Sequence, residues 1–365
     1  MSKGNTLEKK AKFNWKDYTA AFGLILLVII SAVLSKTFLL PNNLINILKS
    51  NAPTGVMALG MTFAILTGGI DLAMASILAM SGVIVAMTIN SLGIFLSVAL
   101  ALAFGVINGL AVGVVVTKFR VPPFIATLAS QNIWRGLAYV VTGAAAKPIT
   151  NLKFNNFGTD KLPMSITLII LALCAVYVVF AFLRSEQKGK KLFSTVLLLL
   201  IIAFAVWLTI TGKGMSYLIC VFVVAFFVCW YILEHSVYGR QVYALGGNPE
   251  AARFSGIRVD RNIILVYMIS SLLAALGGVL AAARLGSGVP QLNVGGETDA
   301  IAAVVLGGTS MSGGSGKITG TILGILLIGV LNNLLTLLGV SSDLQMVFKG
   351  VIVLIAVILD TTNHK

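Results

Sequence analysis

Charge is scarce in this sequence: only 10% of its 365 residues are Asp, Glu, Lys or Arg, against about 25% in an average soluble domain. Apolar residues make up 58% and the mean hydropathy is +0.99. A soluble chain of this size needs far more polar surface to cover its core, so a soluble enzyme and a disordered chain are excluded. The apolar runs are continuous rather than alternating, which excludes an outer-membrane barrel. Cysteine and histidine are nearly missing. Cys174, Cys220 and Cys229 lie in apolar stretches without CxxC spacing, and there are two His in all. That excludes a disulfide scaffold and leaves no metal site to expect. Acidic residues are outnumbered, 12 against 26 basic, for a net charge of +14. In such an apolar chain the excess reads as basic loops facing the cytoplasm rather than as a nucleic-acid surface. What remains is an all-α polytopic membrane protein whose solvent is the lipid bilayer.

Apolar segments of roughly twenty residues fall near 18–35, 51–67, 72–90, 93–117, 123–142, 164–183, 192–211, 214–234, 261–284, 298–311, 317–339 and 345–361. This is an architecture of about 10–12 transmembrane helices, with short or broken segments flanked by Gly. If residues 1–17 are cytoplasmic, the basic residues test the count. The inward loops then hold Lys3, Lys9, Lys10, Lys12 and Lys16; Lys118 and Arg120; Arg184, Lys188, Lys190 and Lys191; Arg240, Arg253, Arg258 and Arg261; Lys317; and Lys365. The outward loops hold Lys36, Lys49, Lys147, Lys153, Lys161 and Lys213. An even number of spans follows, with both termini cytoplasmic. The segment 1–17 is too charged for a signal peptide, so the first helix is expected to stay as an anchor. One transmembrane domain, 18–361, is expected between the segment 1–17 and the tail 362–365. Within it lie an outward polar loop at 143–163 and a cytoplasmic loop at 235–260.

A transporter needs an energy source. The nearest approach to a Walker A loop is Gly316-Lys317, but Ile318 follows and Met311 stands where the first Gly belongs. HExxH, GxSxG and a Rossmann fingerprint are also missing, so no catalytic residue is assigned. Intramembrane carboxylates mark ion pathways, and Asp71, Glu297 and Asp299 are the candidates. Each lies at a helix end or a Gly interruption. Asp71 and Asp299 suit either helix N-termini or a substrate path, and no His or adjacent carboxylate completes a proton relay. Two Gly-flanked breaks, Thr67-Gly68-Gly69-Ile70-Asp71 and Gly307-Gly308-Thr309-Ser310 with Ser312-Gly313-Gly314, read either as an unwound pathway or as close helix packing.

The loop 235–260 has a specific grammar. Gly246-Gly247 breaks the chain, Asn248 is a good N-cap and Pro249 a good first helical residue. Glu250 favours the positive end of the helix dipole. Ala251, Ala252, Arg253 and Phe254 continue the helix, and Gly256 stops it after Ser255. A helix of about two turns is unstable alone in water, so lipid head groups or a docked cytoplasmic partner must hold it. The small Ala251 and Ala252 are expected to face a partner's groove.

At this loop the sequence resembles a known family. The stretch from Tyr238-Gly239-Arg240 through Gly246-Gly247-Asn248-Pro249-Glu250-Ala251-Ala252-Arg253-Phe254-Ser255-Gly256 is similar to the coupling segment of ribose/xylose/galactoside-type ABC importer permeases. Three more stretches resemble family motifs: Thr67-Gly68-Gly69-Ile70-Asp71-Leu72, Val121-Pro122-Pro123-Phe124-Ile125-Ala126-Thr127-Leu128, and Asp299-Ala300-Ile301-Ala302-Ala303 through Gly307-Gly308-Thr309-Ser310. Ala73 and Thr298 depart from the family's usual Ser and Leu. An extra loop and span near 184–211 is similar to the longer xylose-type or multiple-monosaccharide members. The resemblance covers about residues 40–360. It implies a multi-pass permease of the bacterial cytoplasmic membrane, paired with a second permease chain, identical or related. A separate cytoplasmic ABC ATPase subunit would bind the ATP and Mg, while this chain binds no cofactor. An extracytoplasmic binding protein would deliver a monosaccharide of the xylose, galactose, arabinose or ribose class. It assigns Gly247–Gly256 to the ATPase and places Asp71, Phe124, Thr127 and Asp299, with Gly68, Gly69, Gly307 and Gly308, along the substrate pathway. The alternatives are an ion-coupled secondary transporter or facilitator, and an ABC permease for a sugar-like signal or a nucleoside.

Overall fold

A computed structural model describes residues 19–183 and 188–363. The segment 1–17, Arg184 and the terminal Lys365 lie outside the described residues. The described chain is all-α. Its helices are α1 (Thr19–Leu34), α2 (Pro41–Leu66), α3 (Met74–Lys118), α4 (Pro123–Thr142), α5 (Leu152–Thr159), α6 (Met164–Leu183) and α7 (Lys188–Gly212). They continue with α8 (Tyr217–His235), α9 (Val237–Gly247), α10 (Pro249–Phe254), α11 (Val259–Leu285), α12 (Gly296–Leu306), α13 (Ile318–Leu337) and α14 (Ser342–Asn363).

Four helices among the described residues, α3, α8, α11 and α13, are long and apolar enough to cross a membrane, and shorter apolar helices occupy Ala20–Leu34, Met164–Phe180 and Leu199–Gly212. Helix α3 has 45 residues, about 68 Å if straight and twice the bilayer core of about 30 Å. It bends at Gly93 (φ 75°, ψ 174°), at the boundary expected between two spans. Both limbs lie on α11. Gly82 of the first limb faces the Gly278 backbone, while Gly105, Gly109 and Gly113 of the second face Ser271, Tyr267 and Ile264 in turn. The limbs therefore run antiparallel, and missing side chains let three helix backbones meet.

Helix α2 starts ten residues before the expected span. Pro41 suits a first helical position, and Asn43 exchanges amide hydrogen bonds of 3.0 and 2.9 Å with Asn333 of α13. A polar start packed on a neighbouring helix leaves no apolar signal. From Ala52 to Leu66 nearly every residue of α2 is buried. Val56, Leu59 and Phe63 share the main core with Ile77, Leu78, Leu273, Val304 and Ile325. Helices α2 and α11 thus form the centre of the bundle.

Two tiny antiparallel pairs mark one end: β1 (Lys147–Pro148) with β4 (Ser287–Gly288), and β2 (Lys161–Leu162) with β3 (Met215–Ser216). The loop 143–163, expected as a polar loop, carries β1, β2 and α5. Helices α8 and α11 run from this end to the other, where α9, α10 and the turns 67–73 and 307–317 gather. The segment 298–311 does not form a full span. Helix α12 has eleven residues, about 16 Å, and the irregular chain from Val289 to Gly295 makes up the distance. Arg135 of α4 donates to the carbonyls of Pro290 (2.7 Å) and Leu292 (2.9 Å), supplying partners that lipid cannot.

Candidate functional site

The loop between α8 and α11 is built as its grammar requires. Asn248 Oδ1 accepts from the backbone N–H of Glu250 and of Ala251, both at 3.0 Å. Pro249 opens α10, and Gly256 leaves it with φ 82°. Helix α9, which precedes it, is not expected from the sequence. Ser236 caps it, accepting from Gly239 N–H at 3.0 Å.

One expectation is corrected. Ala252 does not face a partner: it is 4% exposed and packs on Leu245, Val259, Ile257 and Ile263 of its own chain. The fold itself supplies the floor that a six-residue helix needs. The outward face is instead Glu250, Ala251, Arg253 and Ser255, with Phe254 at 91% exposure. The Ser255 hydroxyl bonds back to the Ala251 carbonyl at 2.9 Å.

Beneath this loop three glycine-bearing segments converge. A Cβ on Gly246 would lie 1.8 Å from the Leu66 carbonyl oxygen and 2.3 Å from the Gly314 nitrogen. Those two groups are themselves hydrogen-bonded, Gly314 N–H to Leu66 O at 2.9 Å. A Cβ on Gly313 would lie 2.8 Å from the Gly68 nitrogen and 3.1 Å from the Gly246 Cα. Tyr243 of α9 donates to the Gly316 carbonyl at 3.0 Å. Burial, then the Glu234 carboxylate, pushes its hydroxyl up to about 12, so it stays a donor. The C-terminal end of α2, the end of α9 and the α12–α13 turn are therefore one backbone-to-backbone joint. Gly68 takes φ 76° with only the Ser312 carbonyl oxygen, at 3.6 Å, near an added Cβ, so backbone conformation accounts for it. Leu66, Tyr243 and Gly246 are not among the expected site residues, whereas Gly313 and Gly314 belong to the late glycine break; the Gly pairs are visible in the sequence, their meeting is not.

The other expected pathway residues are placed as follows. Asp71 is buried. Its Oδ1 accepts from Ala73 N–H at 3.1 Å and its Oδ2 from the Ser270 hydroxyl at 2.5 Å, so it ties the start of α3 to α11. Thr127 Oγ1 lies 3.2 Å from the Ile70 carbonyl and 3.0 Å from that of Pro123, pinning the same break to α4. A Cβ on Gly69 would meet the Tyr267 hydroxyl at 2.6 Å. Gly307 abuts the backbone of Gly320 and Thr321, whereas Gly308 (φ 87°) faces open space. Phe124 is 53% exposed on α4, whereas Asp71 is buried. Gly247 has nothing within 4 Å of an added Cβ.

A second polar group lies at the start of α12. Gly295 caps this helix without a side-chain bond. Asp299, 6% exposed, pairs at 2.7 Å with Lys349 of α14 rather than capping. Gln131 of α4 donates to Glu297 Oε1 at 2.8 Å. Glu297 Oε2 is buried with no hydrogen-bond partner among the described residues. Elsewhere on α4, Ser130 (2.8 Å) and Trp134 (2.7 Å) donate to Asn108 of α3, which donates to Ser271 (3.0 Å). Gln131, Arg135 and Lys349 are not among the expected site residues; a single polar residue in an apolar helix is the available signal.

Broken helices carrying buried polar groups, with an exposed short helix at one end, are features of a multi-pass membrane protein, and similarity to known permeases gives its class as a transporter permease rather than an enzyme. Residues 43–357 match the family model described as the branched-chain amino acid transport system / permease component. The chain is 40% identical over 339 residues to the ribose import permease RbsC of Bacillus subtilis, covering 93% of this chain and 90% of that one. It is 39% identical over 350 residues to RbsC of Escherichia coli K12, covering 95% and 94%. The xylose transport system permease XylH of the same strain is 32% identical over 341 residues, covering 90% and 87%. No solved structure matches. The chain belongs to this permease family.

Proposed function

We propose that this chain is the membrane-spanning subunit of an ATP-driven importer of a monosaccharide of the ribose or xylose type. The observation that carries the reading is the joint under α10. Helix α10, with Phe254 exposed, starts at Pro249, with only Gly247 and Asn248 between it and Gly246, which contacts Leu66 and Gly314. A push on α10 from a cytoplasmic partner reaches the ends of α2 and α12 through backbone atoms, with no flexible side chain between. Compact, well-packed elements of this kind move as units. The partner is a separate ABC ATPase subunit carrying the ATP and Mg. An extracytoplasmic binding protein brings the sugar to the strand end, and a second permease chain completes the pathway. The basic residues gathered at the joint end support a cytoplasmic placement of that end in a bacterial cytoplasmic membrane.

The polar group of Gln131, Glu297 and Asn108 supports a path for a hydroxylated solute, since hydroxyls need such partners inside lipid. The ribose and xylose transporters named among the relatives support the sugar class, and the higher identity to the ribose permeases puts ribose first in testing. Of the candidate carboxylates, Asp299 is already compensated by Lys349, which argues against it as an ion site. The test is ATP hydrolysis in proteoliposomes holding permease and ATPase, challenged with binding proteins loaded with ribose, xylose, galactose or arabinose. Stimulation by one loaded protein supports the reading. Uptake that persists without any ATPase would sink it.

A further inference from the structure

We propose that the cleft between the C-terminal end of α3 and the first turn of α11 binds the phosphate headgroup of an anionic phospholipid. The cleft is open, with a volume of about 740 Å³. Its walls carry five cations, Lys118, Arg120, Arg253, Arg258 and Arg261, against the single carboxylate of Asp260. Asp260 stands 3.8 Å from both Lys118 and Arg253, and all three side chains are largely solvated, so these pairs are weak. Arg120, Arg258 and Arg261 have no ion-pair partner among the described residues. Helix α11, 27 residues long, opens into the cleft with no side-chain cap, adding the positive end of its dipole and free first-turn amides.

The inner wall is apolar, formed by Val116, Ile263 and Ile264. Just outside, Phe119 (73% exposed) and the exposed Phe124, Ile125 and Leu128 continue as an apolar strip up α4. A free anion would use the cations and leave the strip bare. A lipid uses both, its phosphate on the arginines and its acyl chains along α4. Basic pockets at helix ends facing the cytoplasmic leaflet suit such headgroups. The inference rests on the proposed cytoplasmic orientation of the joint end, but not on the identity of the sugar.

The test is native mass spectrometry of the full-length permease in detergent, with added phosphatidylglycerol or phosphatidylcholine. The wild type should retain phosphatidylglycerol preferentially. Arg120→Gln/Arg258→Gln/Arg261→Gln should weaken that retention roughly a hundredfold, because each substitution removes one cation that faces the headgroup. Lys36→Gln/Lys153→Gln/Lys213→Gln, an equal charge change at the other end, should not. All three arginines are exposed, and an unchanged thermal midpoint without added lipid would verify the fold. Arg258→Glu alone should show the same direction if the triple variant is unstable. Equal retention by the two triple variants would overturn the proposal. So would displacement of the lipid by millimolar inorganic phosphate, which marks a free-anion site. If the arginine variant stopped co-purifying with the ATPase while its lipid retention stayed intact, the proposal would also fall, because the cleft would then be a protein dock.

Discussion

Adding one methyl group at Gly246 tests the joint directly. The Cβ of Gly246→Ala would sit 1.8 Å from the Leu66 oxygen and 2.3 Å from the Gly314 nitrogen, roughly 1.5 Å inside ordinary carbon contact. Both obstacles are backbone, so no side-chain rotation relieves the clash. Either α9 moves away from α2 and the α12–α13 turn, or the Gly314–Leu66 hydrogen bond breaks. A broken backbone bond costs about 1 kcal/mol, and overpacking typically costs about 1–3 kcal/mol, so a total near 2–4 kcal/mol is expected. The methyl group intrinsically favours a helix by up to about 1 kcal/mol, which offsets only part of this. Gly136→Ala is the control, because nothing lies within 4 Å of its added Cβ. The assay pairs thermal unfolding of the purified permease with ATP-dependent uptake in vesicles. Gly246→Ala should lower the midpoint and uncouple hydrolysis from uptake, while Gly136→Ala should do neither. If Gly246→Ala unfolds and transports like the wild type, the backbone joint is not the transmission element.

Three other perturbations separate the remaining claims. Phe254→Ala should leave the melting profile unchanged yet reduce ATPase co-purification about tenfold or more, as expected for an exposed aromatic anchor; Ala252→Leu should instead destabilise the permease itself by about 1–3 kcal/mol. Lys349→Met should cost about 3–5 kcal/mol by stranding Asp299, and adding Asp299→Asn should restore most of it, read by thermal denaturation in detergent. Reporter fusions after Asn155 and after Gly247 should give opposite sides of the membrane, outside for Asn155 and cytoplasmic for Gly247; the same side for both would break the two-ended arrangement of the bundle.

Most of the helices are legible in the sequence because lipid imposes long apolar runs, and the α10 cap is legible because Asn248, Pro249 and Gly256 act within one turn. The polar half of α2 is not, since its partner Asn333 lies 290 residues away. The eleven-residue length of α12 is also hidden. Hydropathy continues smoothly from Ala300 through Leu306, and nothing local reveals that Val289–Gly295 is irregular and held by Arg135. The orientation of Ala252 is misread for a related reason. A short helix shows which residues are small but not which side the rest of the fold occupies. Gly246 looks like a local break, and only the tertiary structure reveals that it is small for the sake of Leu66 and Gly314.

That mutual dependence bears on how the two readings of the glycine breaks are divided. Gly246 and Gly313 are accounted for by close backbone contact, so packing suffices for them, whereas Gly68 (φ 76°), with its nearest atom 3.6 Å from an added Cβ, is kept by its backbone conformation. Gly308 is of the second kind. It has φ 87° and faces open space, one turn beyond the buried face of α12 that carries Glu297 and Asp299 at its other end. Packing does not require glycine there; backbone conformation does, because an L side chain is strained at that φ. The structure therefore separates a tight joint, where volume is forbidden, from a looser turn, where volume fits and geometry is constrained. The C-terminal end of α12 is itself packed, Gly307 on the Gly320 backbone and Ala303 against Gly324, and Leu66 of α2 is bonded to Gly314 of the turn that follows α12. Motion relayed from α10 is then expected to reach the end of α2 and the α12–α13 turn together.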